Sequence, residues 1–110
     1  MATIAQIQIA VADHYGVAVQ ELVGADRHKS IVFARQVAYL LCRRHANASY
    51  PEIGLAFDGR DHTTIMSGCK AAAQKANRDP RLMTHIIELE RRIVGDFGAE
   101  ERVEALEMCA

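Results

Sequence analysis

Apolar side chains recur every three or four residues along most of this chain, which is the periodicity of amphipathic helices and not of strands. Side chains that can cap a helix precede several of these runs, and glycine or proline follows several of them. The expected N-caps are Thr3, Ser30, Ser49 and Asp61. We therefore expect an all-α fold, a compact bundle of about six helices. The predicted helices cover approximately residues 4–15, 19–23, 30–46, 49–57, 61–77 and 82–95.

The fourth and fifth of these helices are separated by only a short turn. Ser49 and Glu52 have the spacing of a capping box, and Pro51 lies in the first turn, where its missing N–H costs nothing. This helix should end near Phe57, and the Asp-Gly pair that follows makes the turn. The segment therefore predicts a helix-turn-helix.

The polar cluster at the start of the fifth helix has the chemistry of a base-reading surface. Asp61 is a good N-cap, and His62, Thr63 and Thr64 would project from the same helix end. In DNA complexes the N-terminal end of the second helix of a helix-turn-helix touches base edges. A carboxylate can accept from cytosine N4, and a threonine methyl group can pack on thymine. The same residues also fit an ordinary capped surface helix, and this segment alone does not choose between the two interpretations.

Charge is unevenly distributed along the 110 residues, although the formal net charge of the whole chain is only −1. Counting Lys and Arg against Asp and Glu, residues 1–26 carry −3, residues 27–78 carry +6 and residues 79–110 carry −4. A basic middle between acidic ends is typical of a domain with a nucleic-acid-binding face, which the net charge alone hides.

Several polar residues of the basic segment lie off the apolar stripe of their predicted helix. For Arg35 and Gln36 a solvated helix face explains the position as well as a phosphate contact does. Arg43 and Arg44 are close to a helix C-terminus, where cations are favourable without any ligand. Helical periodicity does not separate these interpretations.

A set of short motifs, taken in order along the chain, resembles a known family. The motifs are Tyr15-Gly16, Glu21-Leu22, the basic loop Arg27–Lys29, Ala34-Arg35-Gln36, Ser49-Tyr50-Pro51-Glu52-Ile53-Gly54 and Gly59-Arg60-Asp61-His62-Thr63-Thr64. At this mutual spacing they resemble the C-terminal DNA-binding domain of the bacterial chromosomal replication initiator DnaA, over about residues 4–93. We therefore expect a DnaA-like DNA-binding domain in residues 1–95 and an acidic C-terminal tail in residues 96–110, with a short helix at Glu100–Cys109.

The resemblance implies binding to double-stranded DNA at short asymmetric DnaA boxes of the TTATCCACA kind. It places Asp61, His62 and Thr63 on bases in the major groove, and Arg27 in the adjacent minor groove. Loss of His62 should then relax specificity. The residues that it places at the sugar–phosphate backbone are Lys29, Arg35, Gln36, Arg43, Tyr50, Pro51, Arg60 and Thr64. Loss of Arg35 should accordingly weaken binding to all sequences alike and flatten its salt dependence.

The sequence departs from the family pattern in several places. Asp58 stands where the family usually has a second glycine, Tyr50 stands where leucine is common, and position 28 is His28. A carboxylate at position 58 should weaken DNA binding a little unless Arg60 pairs with it. The chain contains no Gly-x-x-x-x-Gly-Lys phosphate loop. If this is a whole protein, we therefore expect it to bind the DnaA box on its own and to lack ATPase activity. The same sequence is also expected for a domain excised from a longer initiator.

Other classes of function are compatible with parts of the chain. A protein-interaction module would use the fold without DNA, and would bind a partner or a second copy through the acidic tail. A non-specific DNA binder would keep only the phosphate contacts. A metal-dependent nuclease would need Asp58, Asp61 and His62 together, but the last two are adjacent and face different ways on a helix, and no third ligand is evident.

We expect no catalytic residue, no metal and no cofactor. His14, His45 and Cys42 lack the spacing of metal ligands. Together with Cys69 and Cys109, Cys42 belongs to an odd set of thiols without paired spacing, which is typical of reduced cysteines in the cytosol. The N-terminus has no secretory apolar region, and no apolar stretch is long enough to span a bilayer. We therefore expect a cytoplasmic protein that acts on DNA at the nucleoid.

Overall fold

Six helices follow one another in the part of the chain that the structure, a computed structural model, describes, which is residues 2–94. They are α1 (Ile4–Tyr15), α2 (Val19–Val23), α3 (Lys29–His45), α4 (Tyr50–Ala56), α5 (His62–Arg78) and α6 (Pro80–Val94). The expected all-α bundle with a helix-turn-helix is confirmed. None of these helices combines the length and the hydropathy needed to cross a membrane. The acidic tail, with the helix expected at Glu100–Cys109, lies outside the described residues.

Local capping interactions set most of the helix boundaries. Thr3 and Ser49 each close a capping box, in which the third helical residue, Gln6 or Glu52, returns a hydrogen bond to the cap. Helix α1 ends where Gly16 adopts a left-handed conformation, with a φ of 69°. These boundaries were predicted from short-range sequence signals, and they are confirmed.

Helix α3 begins earlier than the sequence indicates. Its first residue is Lys29, so the expectation that Ser30 caps this helix is wrong. The carboxylate of Asp26 accepts a hydrogen bond from the backbone N–H of His28 at 2.9 Å, immediately before the helix. This local aspartate turn takes the place of a serine cap at the entry to α3.

The hydrophobic core surrounds α3, which packs against α1, α2, α4, α5 and α6. The large side chains with no exposed surface include Ile7, Leu22, Leu40, Phe57, Ile65 and Leu89. The ring of Tyr39 meets Phe57 edge-on, with 4.9 Å between the ring centroids. Tyr39 also lies against Gly68, where a Cβ atom would come within 2.6 Å of the ring. Helices α3 and α5 therefore approach closely, and this contact fixes α5 against the rest of the bundle.

The turn between α4 and α5 folds back onto α4. The backbone N–H of Arg60 donates to the carbonyl of Gly54 at 2.9 Å, and a Cβ atom on Gly54 would lie 2.2 Å from the carbonyl oxygen of Arg60. Asp58 and Gly59 both have positive φ, 65° and 70°. Because the turn is this tight, the direction of α5 is set by the end of α4.

Candidate nucleic-acid interface

The N-terminal end of α5 presents Asp61, His62, Thr63 and Thr64, all of them exposed. The Oδ1 atom of Asp61 accepts from the backbone N–H and from the hydroxyl of Thr63, both at 2.8 Å, and lies 3.2 Å from Nδ1 of His62. The hydrogen bonds from Thr63, the backbone one first, lower the pKa of Asp61, so this carboxylate is ionised at neutral pH. The helix end therefore offers an anionic acceptor, an imidazole and two hydroxyl groups to a ligand.

Two grooves flank this end of α5. The first lies between α3 and α5, and Arg35, Gln36, Thr63 and Thr64 are among the residues that line it. The second is lined by Tyr50, Thr63, Met66, Ser67 and Lys70. The structure thus brings together residues of α3, α4 and α5 for which the family resemblance implies one DNA-binding surface.

Ser67 and Lys70 are part of this surface, although neither belongs to the motifs that carry the family resemblance. Ser67 lines both grooves and Lys70 lines the second one. Both follow Thr63 at intervals of four and seven residues, and residues with this spacing lie on one face of a helix. That spacing was the signal available in the sequence.

The guanidinium of Arg35 is directed into the protein. Arg35 is only 6% exposed. Its Nε donates to the carbonyl of Leu22 at 2.6 Å, and its Nη2 donates to the carbonyls of Asp26 at 3.0 Å and Glu21 at 3.2 Å. The described contacts of this side chain are thus with carbonyls at the end of α2 and in the following loop, where a helix end leaves such groups without helical partners. The expected contact of Arg35 with the DNA backbone stays a prediction.

Arg60 makes a similar set of contacts from the helix-turn-helix. Its Nη1 donates to the carbonyl of Val23 at 2.7 Å and to that of Phe57 at 2.6 Å, and its Nη2 donates to the carbonyl of Gly24. These partners are carbonyls, and the carboxylate of Asp58 is not among them. Arg60 therefore joins the turn before α5 to the C-terminal end of α2.

Together Arg35 and Arg60 hold the segment that carries Arg27. The Arg27 side chain is exposed in the loop between α2 and α3. Its neighbours are also paired, since Nδ1 of His28 lies 2.5 Å from Oδ1 of Asp26. The hydrogen bond with Asp26 raises the pKa of His28, and the hydrogen bonds from His28 lower the pKa of Asp26. The loop is thus held at both ends while Arg27 projects from it.

The other residues that are expected to contact the DNA backbone lie on the same three helices. Lys29 and Pro51 are exposed in the first turns of α3 and α4, and Gln36 is half-buried in the groove beside α5. The Arg43 guanidinium lies 4.5 Å from the centroid of the Tyr50 ring, and its Nη1 donates to the carbonyl of Ala48 at 3.1 Å. Arg43 is therefore stacked on Tyr50 next to the start of α4, with its side chain partly exposed.

The bundle, the tight turn between α4 and α5 and the exposed polar end of α5 define the class of helix-turn-helix domains. The family model for the bacterial dnaA protein helix-turn-helix matches residues 4–71. The chain therefore belongs to the family of bacterial DnaA helix-turn-helix domains, and the resemblance of its sequence motifs is confirmed.

Several chromosomal replication initiator proteins DnaA are similar to this chain. The protein of Oenococcus oeni is 43% identical over 91 residues, which are 83% of this chain and 20% of that protein. The protein of Treponema denticola is 41% identical over 91 residues, 83% of this chain and 19% of that protein. The protein of Chloroflexus aurantiacus is 40% identical over 83 residues, 76% of this chain and 17% of that protein. The chain thus spans about a fifth of the length of the curated relatives it matches.

Proposed function

We propose that this domain binds double-stranded DNA sequence-specifically at sites that resemble the DnaA box, in the initiation or regulation of chromosomal replication or in transcription. The observation that carries the proposal is the exposed N-terminal end of α5, where Asp61, His62 and Thr63 stand on a tightly held helix-turn-helix. Membership of the DnaA helix-turn-helix family and the names of the relatives support the biological role.

In the proposed complex the N-terminal end of α5 enters the major groove. Asp61, His62 and Thr63 contact base edges there, with the Asp61 carboxylate as the acceptor for a base amino group. Arg27 extends from the loop between α2 and α3 into the adjacent minor groove. A narrow A·T-rich minor groove has a strongly negative potential, which attracts an exposed guanidinium.

The contacts with the sugar–phosphate backbone are proposed for the residues around this helix end. They are Lys29, Gln36, Arg43, Tyr50, Pro51 and Thr64, to which we add Ser67 and Lys70 because they line the same grooves. Such contacts set the register of the protein on the duplex and make binding depend on salt. We assign Arg35 and Arg60 a positioning role, because their guanidinium groups bind the carbonyls that hold the loop of Arg27.

The proposed activity is binding without catalysis. The family model describes a helix-turn-helix, and the proposed surface is built from groups that suit base edges and phosphates. Double-stranded DNA is therefore the proposed partner. A protein partner or self-association through residues 96–110 stays a prediction.

Replacement of His62 by alanine tests the proposed base contacts. We expect the affinity for a duplex that contains TTATCCACA to fall by roughly 1–3 kcal/mol, while the affinity for a scrambled duplex of the same composition stays the same. Fluorescence anisotropy with both labelled duplexes across a salt series measures the two affinities. Thr84→Ala is the matched control, because it removes an exposed, uncharged polar residue of α6, outside the proposed surface.

The outcome separates three functions. Box binding by the wild type that is tighter than scrambled binding, and that is reduced only in His62→Ala, supports the proposal. If His62→Ala binds both duplexes as the wild type does, α5 is not the recognition helix. Equal and steeply salt-dependent binding of both duplexes by the wild type would instead indicate a non-specific DNA binder. If the wild type binds neither duplex, the protein-interaction function is favoured.

Asp58 should weaken DNA binding through its charge. Its carboxylate stands in the turn just before α5, and an exposed charge a few ångströms from phosphates costs roughly 0.5 kcal/mol when screened by salt. We therefore expect Asp58→Asn and Asp58→Gly to bind box DNA about twofold to threefold more tightly, measured by the same anisotropy titration.

The two substitutions also separate charge from backbone conformation. Asparagine keeps a side chain at a φ of 65°, whereas glycine adopts that φ without strain but loses more entropy on folding. For Asp58→Gly these two effects nearly cancel. The free energy of unfolding, measured by thermal denaturation, should therefore change by less than about 0.5 kcal/mol. An unchanged affinity in both variants would show that position 58 lies away from the phosphates.

A further inference from the structure

Two histidines that are far apart in the sequence meet on the face of the bundle formed by α1 and α6. Nε2 of His14 lies 3.0 Å from Nδ1 of His85, and the residues are 71 positions apart. Glu88 follows His85 by three residues and lies on the same face of α6. One ligand atom from each of His14, His85 and Glu88 lies within 4.8 Å of the other two. Among the His, Cys, Asp and Glu side chains of residues 2–94, this is the group of three whose ligand atoms all lie within 4.8 Å of one another.

The spacing of the two imidazole nitrogens suits a shared metal ion. Two nitrogens that bind Zn²⁺ at about 2.0–2.1 Å in a tetrahedral site are about 3.3 Å apart. The observed 3.0 Å between His14 Nε2 and His85 Nδ1 differs from this by a few tenths of an ångström. The side chain of Glu88 is exposed and flexible, so a small rotation of this side chain can bring its carboxylate onto the metal ion.

The hydrogen bond between the two rings is compatible with a shared metal ion. In the hydrogen bond between the rings one nitrogen carries the proton. When a metal binds both nitrogens, that proton moves to the other nitrogen of its own ring, which leaves both facing nitrogens free as ligands.

We propose that His14, His85 and Glu88 bind a divalent transition-metal ion of the Zn²⁺ type, with water in a fourth position. Two imidazoles and one carboxylate favour Zn²⁺, Ni²⁺ or Cu²⁺ over Mg²⁺ and Ca²⁺, which prefer oxygen ligands. His14 lies near the end of α1, whereas the other two ligands belong to α6. The bound ion therefore joins α1 to α6 and stabilises the folded domain, independently of the DNA-binding surface.

Thermal unfolding of the full chain with and without ZnCl₂ tests the site. The Cys109→Ser variant is the background, because a thiolate would offer zinc a second site. We expect zinc at tenfold excess over its dissociation constant to raise Tm by about 5 °C or more, and Mg²⁺ to leave Tm unchanged. Isothermal titration calorimetry should give one zinc ion per chain.

Variants of the ligands give the decisive comparison. His85→Ala should abolish the zinc response, and Glu88→Gln should weaken zinc binding about tenfold. His28→Ala is the matched control, since it removes an exposed histidine that also stands beside a carboxylate, and it should keep the full response. The Co²⁺ complex of the background variant should show d–d absorption bands without a thiolate charge-transfer band.

Two results would overturn the proposal. The first is a Tm of the Cys109→Ser background that zinc does not change, which would leave the two histidines as a hydrogen-bonded pair only. The second is a zinc response that is the same in His85→Ala, Glu88→Gln and the background, which would locate the metal elsewhere. If His85→Ala is itself unstable, Glu88→Gln and the Co²⁺ spectrum of the background variant test the site instead, because both proteins keep the two histidines.

Discussion

Alanine in place of Gly54 is expected to destabilise the domain by about 3 kcal/mol or more, although alanine is the better helix former by about 1 kcal/mol. The reason is the turn that folds back onto α4. The new Cβ atom would lie 2.2 Å from the carbonyl oxygen of Arg60, and 3.3 Å from its carbonyl carbon. Because the obstacle is backbone, no side-chain rotation relieves it, and the turn must move away from α4. Urea denaturation followed by circular dichroism measures the loss.

Gly59→Ala is the matched control for this prediction. Gly59 lies in the same turn with a φ of 70°, and no atom beyond its adjacent residues lies within 4 Å of the position that a methyl group would take there, so alanine meets conformational strain alone. That strain costs roughly 1–2 kcal/mol. We therefore expect Gly54→Ala to lose more stability than Gly59→Ala, and to lose affinity for box DNA as α5 shifts. A Gly54→Ala protein as stable as the wild type would contradict the close approach of the turn to α4.

The parts of the fold that the sequence predicted are those that depend on neighbouring residues. A capping box such as Ser49 with Glu52 is closed within four residues, and so is the cap that Asp61 provides for α5. The start of α3 was missed because two local signals compete there. Ser30 has the composition of a cap, but Asp26 makes the turn four residues earlier.

The exposed end of α5 was predicted for the same reason, since a capped helix start after a tight turn carries its own polar residues to the surface. The roles of Arg35 and Arg60 were not predictable in this way. The carbonyls that accept from Arg35 lie 9 to 14 residues away in the sequence. Those that accept from Arg60 lie 3 to 37 residues away. An arginine off the apolar stripe of a helix looks the same in the sequence whether it faces solvent, a phosphate or a buried carbonyl.

The meeting of His14 with His85 belongs to the same class of features. His14 has no second metal ligand at the usual spacing in its own segment, and His85 has only Glu88, three residues later. Only the packing of α6 across α1 brings the two rings within hydrogen-bonding distance. Local sequence patterns therefore predict helices and their caps, whereas contacts between distant helices need the packed bundle.

Arg35→Met is expected to destabilise the domain by about 2–4 kcal/mol. Methionine keeps much of the apolar stem but leaves the carbonyls of Leu22 and Asp26 without the donors that they have in the wild type. Hydrogen bonds to a charged group contribute about 1.5–3 kcal/mol each, and the losses within one cluster are not additive. Urea denaturation gives the change in unfolding free energy.

Arg27→Met distinguishes this positioning role from a phosphate contact. Arg27 is exposed, so its loss should lower the affinity for box DNA while the unfolding free energy stays within about 0.5 kcal/mol of the wild type. Arg35→Met should lower both quantities, because the loop that carries Arg27 loses its anchor. If Arg35 instead contacted a phosphate, its replacement would reduce the salt slope of binding by about 1 and leave the stability unchanged. Measuring the salt slope and the urea midpoint on the same two variants therefore decides how Arg35 contributes to the proposed DNA binding.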